Sequence, residues 1–201
     1  MEIRRVGAHA LLIEVDEPLA WFAAFVEFRA EGRIQFAEIV PGARTVLIDG
    51  VPEPDRLAQM LPGWPAPMRT AGSAGASVTI EVVYDGTDLD FVAASWDVSV
   101  EAAVRRIAGT QFTVAFCGFA PGFAYLAGLP AGLSIPRLAT PRAKVPAGSV
   151  ALAGEYAGIY PTASPGGWRL IGRTEASLFD VDREPPALLT PGTHVRLEEA
   201  P

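Results

Sequence analysis

Apolar and polar positions alternate in short runs over the first fifty residues. Glu2 to Val6 and Ala10 to Val15 read as strands joined by a turn at Gly7. Pro18 suits the first turn of a helix, where its missing N–H costs nothing. From there the period changes. Leu19, Phe22, Ala23 and Val26 recur at helical spacing, with Trp21, Phe25 and Phe28 as a second stripe beside them, up to a stop at Gly32. A helix apolar over so much of its girth is either a central core helix or one that faces another polypeptide. Ile34 to Val40 and Arg44 to Asp49 give the next strand pair, turned by Pro41-Gly42, and Pro54 to Leu61 a second short helix. The order ββαββα predicts a small α+β domain with helices on one face of an antiparallel sheet.

Pro62 to Ala76 is rich in proline and glycine and reads as a linker, dividing the chain into domains at 1–70 and 77–201. Ser77 to Tyr84 alternates as a strand, and Leu89 to Ser95 is a short helical turn. Ser99 caps a helix in which Val100, Ala103, Val104, Ile107 and Ala108 share one face. Phe112 to Cys117 is apolar enough for a strand buried on both sides. Beyond it, glycine and proline recur every few residues among aromatics and arginines. Strands are expected at Ser149 to Ala153, Gly158 to Tyr160, Gly167 to Ile171, Ser177 to Asp180 and His194 to Glu198. Many short strands with tight turns predict a barrel or sandwich, so the whole chain is α+β.

Composition narrows the function classes. The 201 residues are 50% hydrophobic and 19% charged, enough apolar material for a real core. A net charge of -7 without a basic patch argues against a nucleic-acid partner. No formal charge occurs between Ile107 and Pro136, but glycines and prolines break that run well short of the roughly 20 apolar residues a membrane helix needs. Cys117 is the sole cysteine, so no intrachain disulfide or cysteine zinc site can form, which fits a reducing cytoplasm. With His9 and His194 as the only histidines, no histidine metal site is expected, and neither a P-loop nor a GxSxG elbow is present.

What remains is a set of cations, glycine-bared backbone and aromatics. Arg137, Arg142, Lys144 and Arg173 sit in Gly/Pro-rich segments, either as solvated surface groups or as a cluster that binds carboxylate or phosphate. Pro121-Gly122-Phe123 and Gly166-Gly167-Trp168 either make tight turns or let backbone N–H groups approach a ligand. Phe119, Phe123, Tyr125, Tyr160 and Trp168 either wall a pocket or fill the barrel core. Ser149 is a further candidate to bond a ligand oxygen, and Cys117 reads as an inert buried thiol.

The run Gly118-Phe119-x-Pro121-Gly122-Phe123-x-Tyr125-Leu126 is followed by Val145-Pro146-Ala147-Gly148-Ser149, Gly158-Ile159-Tyr160-Pro161, Ser164-Pro165-Gly166-Gly167-Trp168 and Ile171-Gly172-Arg173-Thr174. These motifs resemble the allophanate hydrolase subunit 1 family, which includes the B-type component of bacterial ATP-dependent 5-oxoprolinase and Kip-type inhibitors of a sensor kinase. They are also similar to one half of the carboxyltransferase domain of urea carboxylase. The resemblance implies a cyclophilin-like β-barrel for the second domain. It implies a component of an ATP-dependent complex that opens 5-oxoproline to glutamate, inactive alone. Its partners would be an allophanate hydrolase subunit 2 type protein, which is the C-type component of 5-oxoprolinase, and a LamB/YcsF-type protein, which is the A-type component. ATP would be used by the complex, with no cofactor bound by this chain. A kinase inhibitor, or a carboxyltransferase half, is the alternative the same resemblance leaves open.

Overall fold

The computed structural model describes residues 1–67 and 76–201. The chain divides into two compact units, Met1–Ala74 and Gly75–Pro201. Residues 68–75, on which most of the expected linker falls, lie outside the described residues.

The first unit begins with the hairpin β1 (Glu2–Val6) and β2 (Ala10–Glu14), followed by α1 (Pro18–Ala30), β3 (Glu38–Pro41), β4 (Thr45–Asp49) and α2 (Pro54–Met60). The sheet order is β1-β2-β4-β3, antiparallel throughout. Alternation decides which side is buried. Leu11 and Ile13 of β2 face Ile48 and Val46 of β4, and all four are fully buried. On α1 the aromatic stripe wins: Trp21 and Phe25 are buried, whereas Ala23 and Val26 are exposed. The helix therefore buries one face, because the larger rings remove more apolar area from water. The expected strand over Ile34 to Val40 is shorter. Arg33 and Ile34 donate their N–H groups back to Phe28 O at the end of α1, and Ile34 and Phe36 enter the core without joining the sheet.

In the second unit, β5 (Ser77–Val82) is followed by α3 (Leu89–Ser95) and α4 (Val100–Ala108). The Ser99 hydroxyl accepts Ala102 N–H at 3.2 Å and caps α4. Next come β6 (Phe112–Cys117), β7 (Ala124–Ala127), β8 (Arg142–Val145), β9 (Ser149–Ala153), β10 (Tyr156–Ile159), β11 (Ser164–Gly166), β12 (Arg169–Arg173) and β13 (His194–Glu199). Seven strands form one sheet in the order β12-β9-β10-β7-β6-β13-β5, and β8 and β11 pair in a separate two-stranded antiparallel sheet. The expected strand at Ser177 to Asp180 is absent. That segment makes a single bridge, Phe179 to Ala187, and Arg183 ties it down by donating to the carbonyls of Ser177, Leu178, Pro185 and Pro186.

The seven-stranded sheet curls until its edges meet, giving the nearly closed barrel that the second half was expected to form. Val83, directly after β5, and Arg173 of β12 exchange both backbone hydrogen bonds at 2.9 Å. Beside this bridge the chain from Asp85 to Asp88 is clasped to β12. Asp88, 7% exposed, accepts Leu170 N–H at 2.7 Å and the Arg142 guanidinium at 2.8 Å. Arg169 lies 3.6 Å from its other oxygen. Gly86 lies so close to the backbone of Leu170, Ile171 and Gly172 that a Cβ there would overlap it.

Strand alternation splits the second unit's interior in two. Ala124 and Leu126 of β7, Val150 and Leu152 of β9, and Ala157 and Ile159 of β10 join the main core with α3 and α4. Their neighbours Tyr125, Ala151 and Ala153 point the other way, into an aromatic cluster with Phe123, Tyr160 and Trp168.

Two substitutions test the seam. Gly86→Ala should cost about 1–3 kcal/mol by overpacking. Asp88→Ala should cost about 3–5 kcal/mol, since it strands buried partners. Both are read by denaturant unfolding of the chain, and wild-type stability in either variant contradicts the seam.

Candidate functional site

The loop between β6 and β7 is set by its own hydrogen bonds. Phe123 N–H donates to Ala120 O at 3.0 Å, and Gly122 sits at φ +82 behind Pro121, the geometry of a type II turn. Ala120 N–H donates to Gly118 O at 2.9 Å across Phe119, which is held at φ +72. That is a γ-turn of the strained, positive-φ kind, worth about 1–3 kcal/mol of backbone strain at a residue bearing a side chain. Gly122 also abuts Phe179 and Leu178 too closely for a Cβ. The Gly122 turn is thus explained by local folding, and the Phe123 N–H is committed within it.

Above this loop lies a cleft of about 280 Å³, walled by Phe119, Phe123, Tyr125, Tyr156, Tyr160 and Trp168, with Arg137, Ala153, Gly154, Pro165 and Gly166 completing it. Phe123 is the hub. Its ring meets Phe119, Tyr125, Tyr160 and Trp168 edge to face at centroid distances of 5.2, 5.1, 5.5 and 5.4 Å. Tyr125 stacks on Phe116 at 4.2 Å and also meets Tyr156 at 5.9 Å. Gly158 admits this packing, since a Cβ there would come within 2.9 Å of Trp168 and 3.0 Å of Phe123. Gly166 gives way to Tyr160 for the same reason.

The cations separate. Arg142, expected as an anion binder, is turned into the fold: it pairs with Asp88 and donates to Trp168 O at 3.3 Å. Arg173 sits at the barrel seam with Asp85 at 2.9 Å. Lys144 is exposed on β8, outside the cleft. Arg137 alone of the four lines the cleft. Among the described residues it has no hydrogen-bond or ion-pair partner. Its backbone is fixed on both sides, by the bridge between Ile135 and Gly154 and by Leu138 N–H donating to Gly167 O at 2.8 Å.

Burial raises the Tyr160 phenol above its usual value, only partly offset by a hydrogen bond with the Trp168 backbone and the nearby charges of Arg137 and Arg142. Tyr160 is therefore neutral at neutral pH. Burial also raises the Cys117 thiol, whose Sγ lies 3.5 Å from Leu189 O, in keeping with an inert residue.

Of the residues singled out from sequence, Phe119, Phe123, Tyr125, Arg137, Tyr160, Gly166 and Trp168 come together at the cleft. Pro121 is exposed in the turn, Gly167 is buried with its carbonyl on Leu138, and Ser149 is buried in β9. Tyr156 was missed. The period-2 spacing of Tyr156, Gly158 and Tyr160 was the signal that puts it on the cleft face. Asp88 was also missed, being one acid among many in an ordinary-looking loop.

Residues 1–189 match the family "carboxyltransferase domain, subdomain C and D", and the chain belongs to it. It is 37% identical to the B-type component of 5-oxoprolinase from Escherichia coli O157:H7, over 95% of this chain and 92% of that protein. The crystal structure of TTHA0988 superposes with a TM-score of 0.75 at 33% identity, and this chain spans all of its own length but 40% of that one. The urea amidolyase of K. lactis shares the fold, with a TM-score of 0.76 at 18% identity over 98% of this chain and 15% of that one.

Phe123→Ala should cost about 3–5 kcal/mol, because it empties the hub of the aromatic cluster. Thermal unfolding of the variant checks this, and an unchanged midpoint would mean that the ring carries no packing.

Proposed function

We propose that this chain is the B-type component of an ATP-dependent 5-oxoprolinase complex, and that its cleft holds the carboxylate end of the cyclic substrate. The reading of the complex is supported by the name and length of its Escherichia coli relative. The reading of the site is carried by one observation: a guanidinium on a braced stretch of backbone, without a hydrogen-bond or ion-pair partner among the described residues, at the edge of an aromatic cleft. A guanidinium fork binds a carboxylate through two charge-assisted bonds. Aromatic walls give a flat ring apolar contact while its polar edge stays at the opening. The neutral Tyr160 phenol, within the influence of Arg137, is a donor for a substrate oxygen.

In this scheme the chain binds and orients, and the rest of the complex supplies the ATP chemistry. The C-type component, an allophanate hydrolase subunit 2 type protein, and the LamB/YcsF-type A component are the partners. The assembly works in the cytoplasm, and the chain alone does not turn over substrate. No helix among the described residues is long and apolar enough to cross a membrane.

In the assembled complex, Arg137→Gln should lower kcat/KM for 5-oxoproline about 10- to 100-fold, the loss of a charge-assisted pair, with no change in melting temperature. Arg142→Ala should instead lower the melting temperature, because it removes a partner of buried Asp88. Full activity in the Arg137 variant refutes the site. The absence of ATP-dependent 5-oxoproline cleavage by the wild-type complex refutes the function.

A further inference from the structure

Phe119 is not accounted for by folding. It is 61% exposed, yet it holds a large apolar ring at φ +72. A residue needed only to turn the chain would be glycine, and Gly118 next to it does not take the strained conformation. A ring needed only to fill a core would be buried. What the strain achieves is position: the ring stands edge-on to Phe123 at 5.2 Å and to Tyr160 at 6.2 Å, over the cleft.

The loop beneath it cannot easily move aside. Gly118 N–H is bonded to Phe123 O at 3.2 Å, the type II turn follows at once, and Gly122 is pressed against Phe179. The cleft volume of about 280 Å³ falls just under the range of about 300–1,000 Å³ usual for pockets that take drug-sized ligands. A fixed roof over so small a space sets an upper limit on what can enter.

We propose that Phe119 is the specificity-determining roof of the cleft, restricting it to carboxylates on a single small ring. The single ring packs between Phe119 and the Phe123–Trp168 floor, with its carboxylate on Arg137. This rests on the reading above for the ligand's charge and adds the limit on its size and shape.

Ligand-observed NMR on the full chain tests it, with 5-oxoproline, its six-membered homologue and a fused two-ring carboxylate as probes. Wild-type protein is expected to bind the single rings and reject the fused pair. Phe119→Gly should weaken 5-oxoproline about tenfold and admit the fused pair, with an unchanged or higher melting temperature because the strain is relieved. Phe119→Leu should fall between. Unchanged selectivity in a folded Phe119→Gly variant overturns the roof. Failure of every ring carboxylate to bind the wild-type chain also overturns it, and if the complex still cleaves 5-oxoproline with dependence on Arg137, the functional reading stands without it. Selectivity that depends on Phe119, in a complex that does not cleave 5-oxoproline, leaves the roof standing and removes the reaction.

Discussion

The Asp88 carboxylate joins the closing of the barrel to the shaping of the cleft. Its side chain is almost wholly withdrawn from water, a costly place for a charge unless its oxygens are satisfied. They are: a backbone N–H from Leu170 and the guanidinium of Arg142 share one oxygen, and Arg169 approaches the other. Each partner carries the effect outward. Leu170 belongs to β12, the edge strand that meets Val83. Arg142 leads β8 and also holds the Trp168 carbonyl, while Arg169 lies over Phe91 at 3.7 Å and donates to Pro136 O, next to Arg137. Removing the charge would loosen the seam and the cleft together.

The aromatic face is the second constraint. The strands β7, β9 and β10 are buried on both sides, so their alternate residues serve two packings at once. Small residues on the cleft side, Ala151, Ala153 and Gly158, leave room for rings supplied by loops and edges. Edge-to-face contacts of this kind contribute about 0.5–1.5 kcal/mol each beyond burial. A floor so interlocked is preorganised, and little ordering is left for ligand binding to bring about.

Much of this was legible in the sequence, for physical reasons. Period-2 alternation located β5, short runs bounded by turns at Gly7, Pro41-Gly42 and Pro191-Gly192 located β1, β2, β4 and β13, and the Ser99 cap located α4. The α+β class followed from the order of elements. Three strands escaped: Ala124–Ala127, Arg142–Val145 and Ser164–Gly166 are only three or four residues long and are flanked or interrupted by glycine and proline, so no local period could build up. Ser177 to Asp180 failed in the opposite way, with strand-like alternation but carbonyls captured by Arg183. At the site, residue type identified the aromatics and Arg137 as candidates, but it could not say which guanidinium was spoken for. Arg137, Arg142 and Arg173 look alike in sequence; only the placement of Asp85 and Asp88, about fifty residues or more upstream, separates them.

The direct measurement is native-state hydrogen exchange at the Leu170 amide, whose proton is held by the Asp88 carboxylate. If that contact closes the barrel and braces the cleft, this amide exchanges only through global unfolding, at the rate of β9, which is buried along its whole length. Exchange as fast as that of an exposed loop amide, in a chain whose β9 remains protected, would contradict the account.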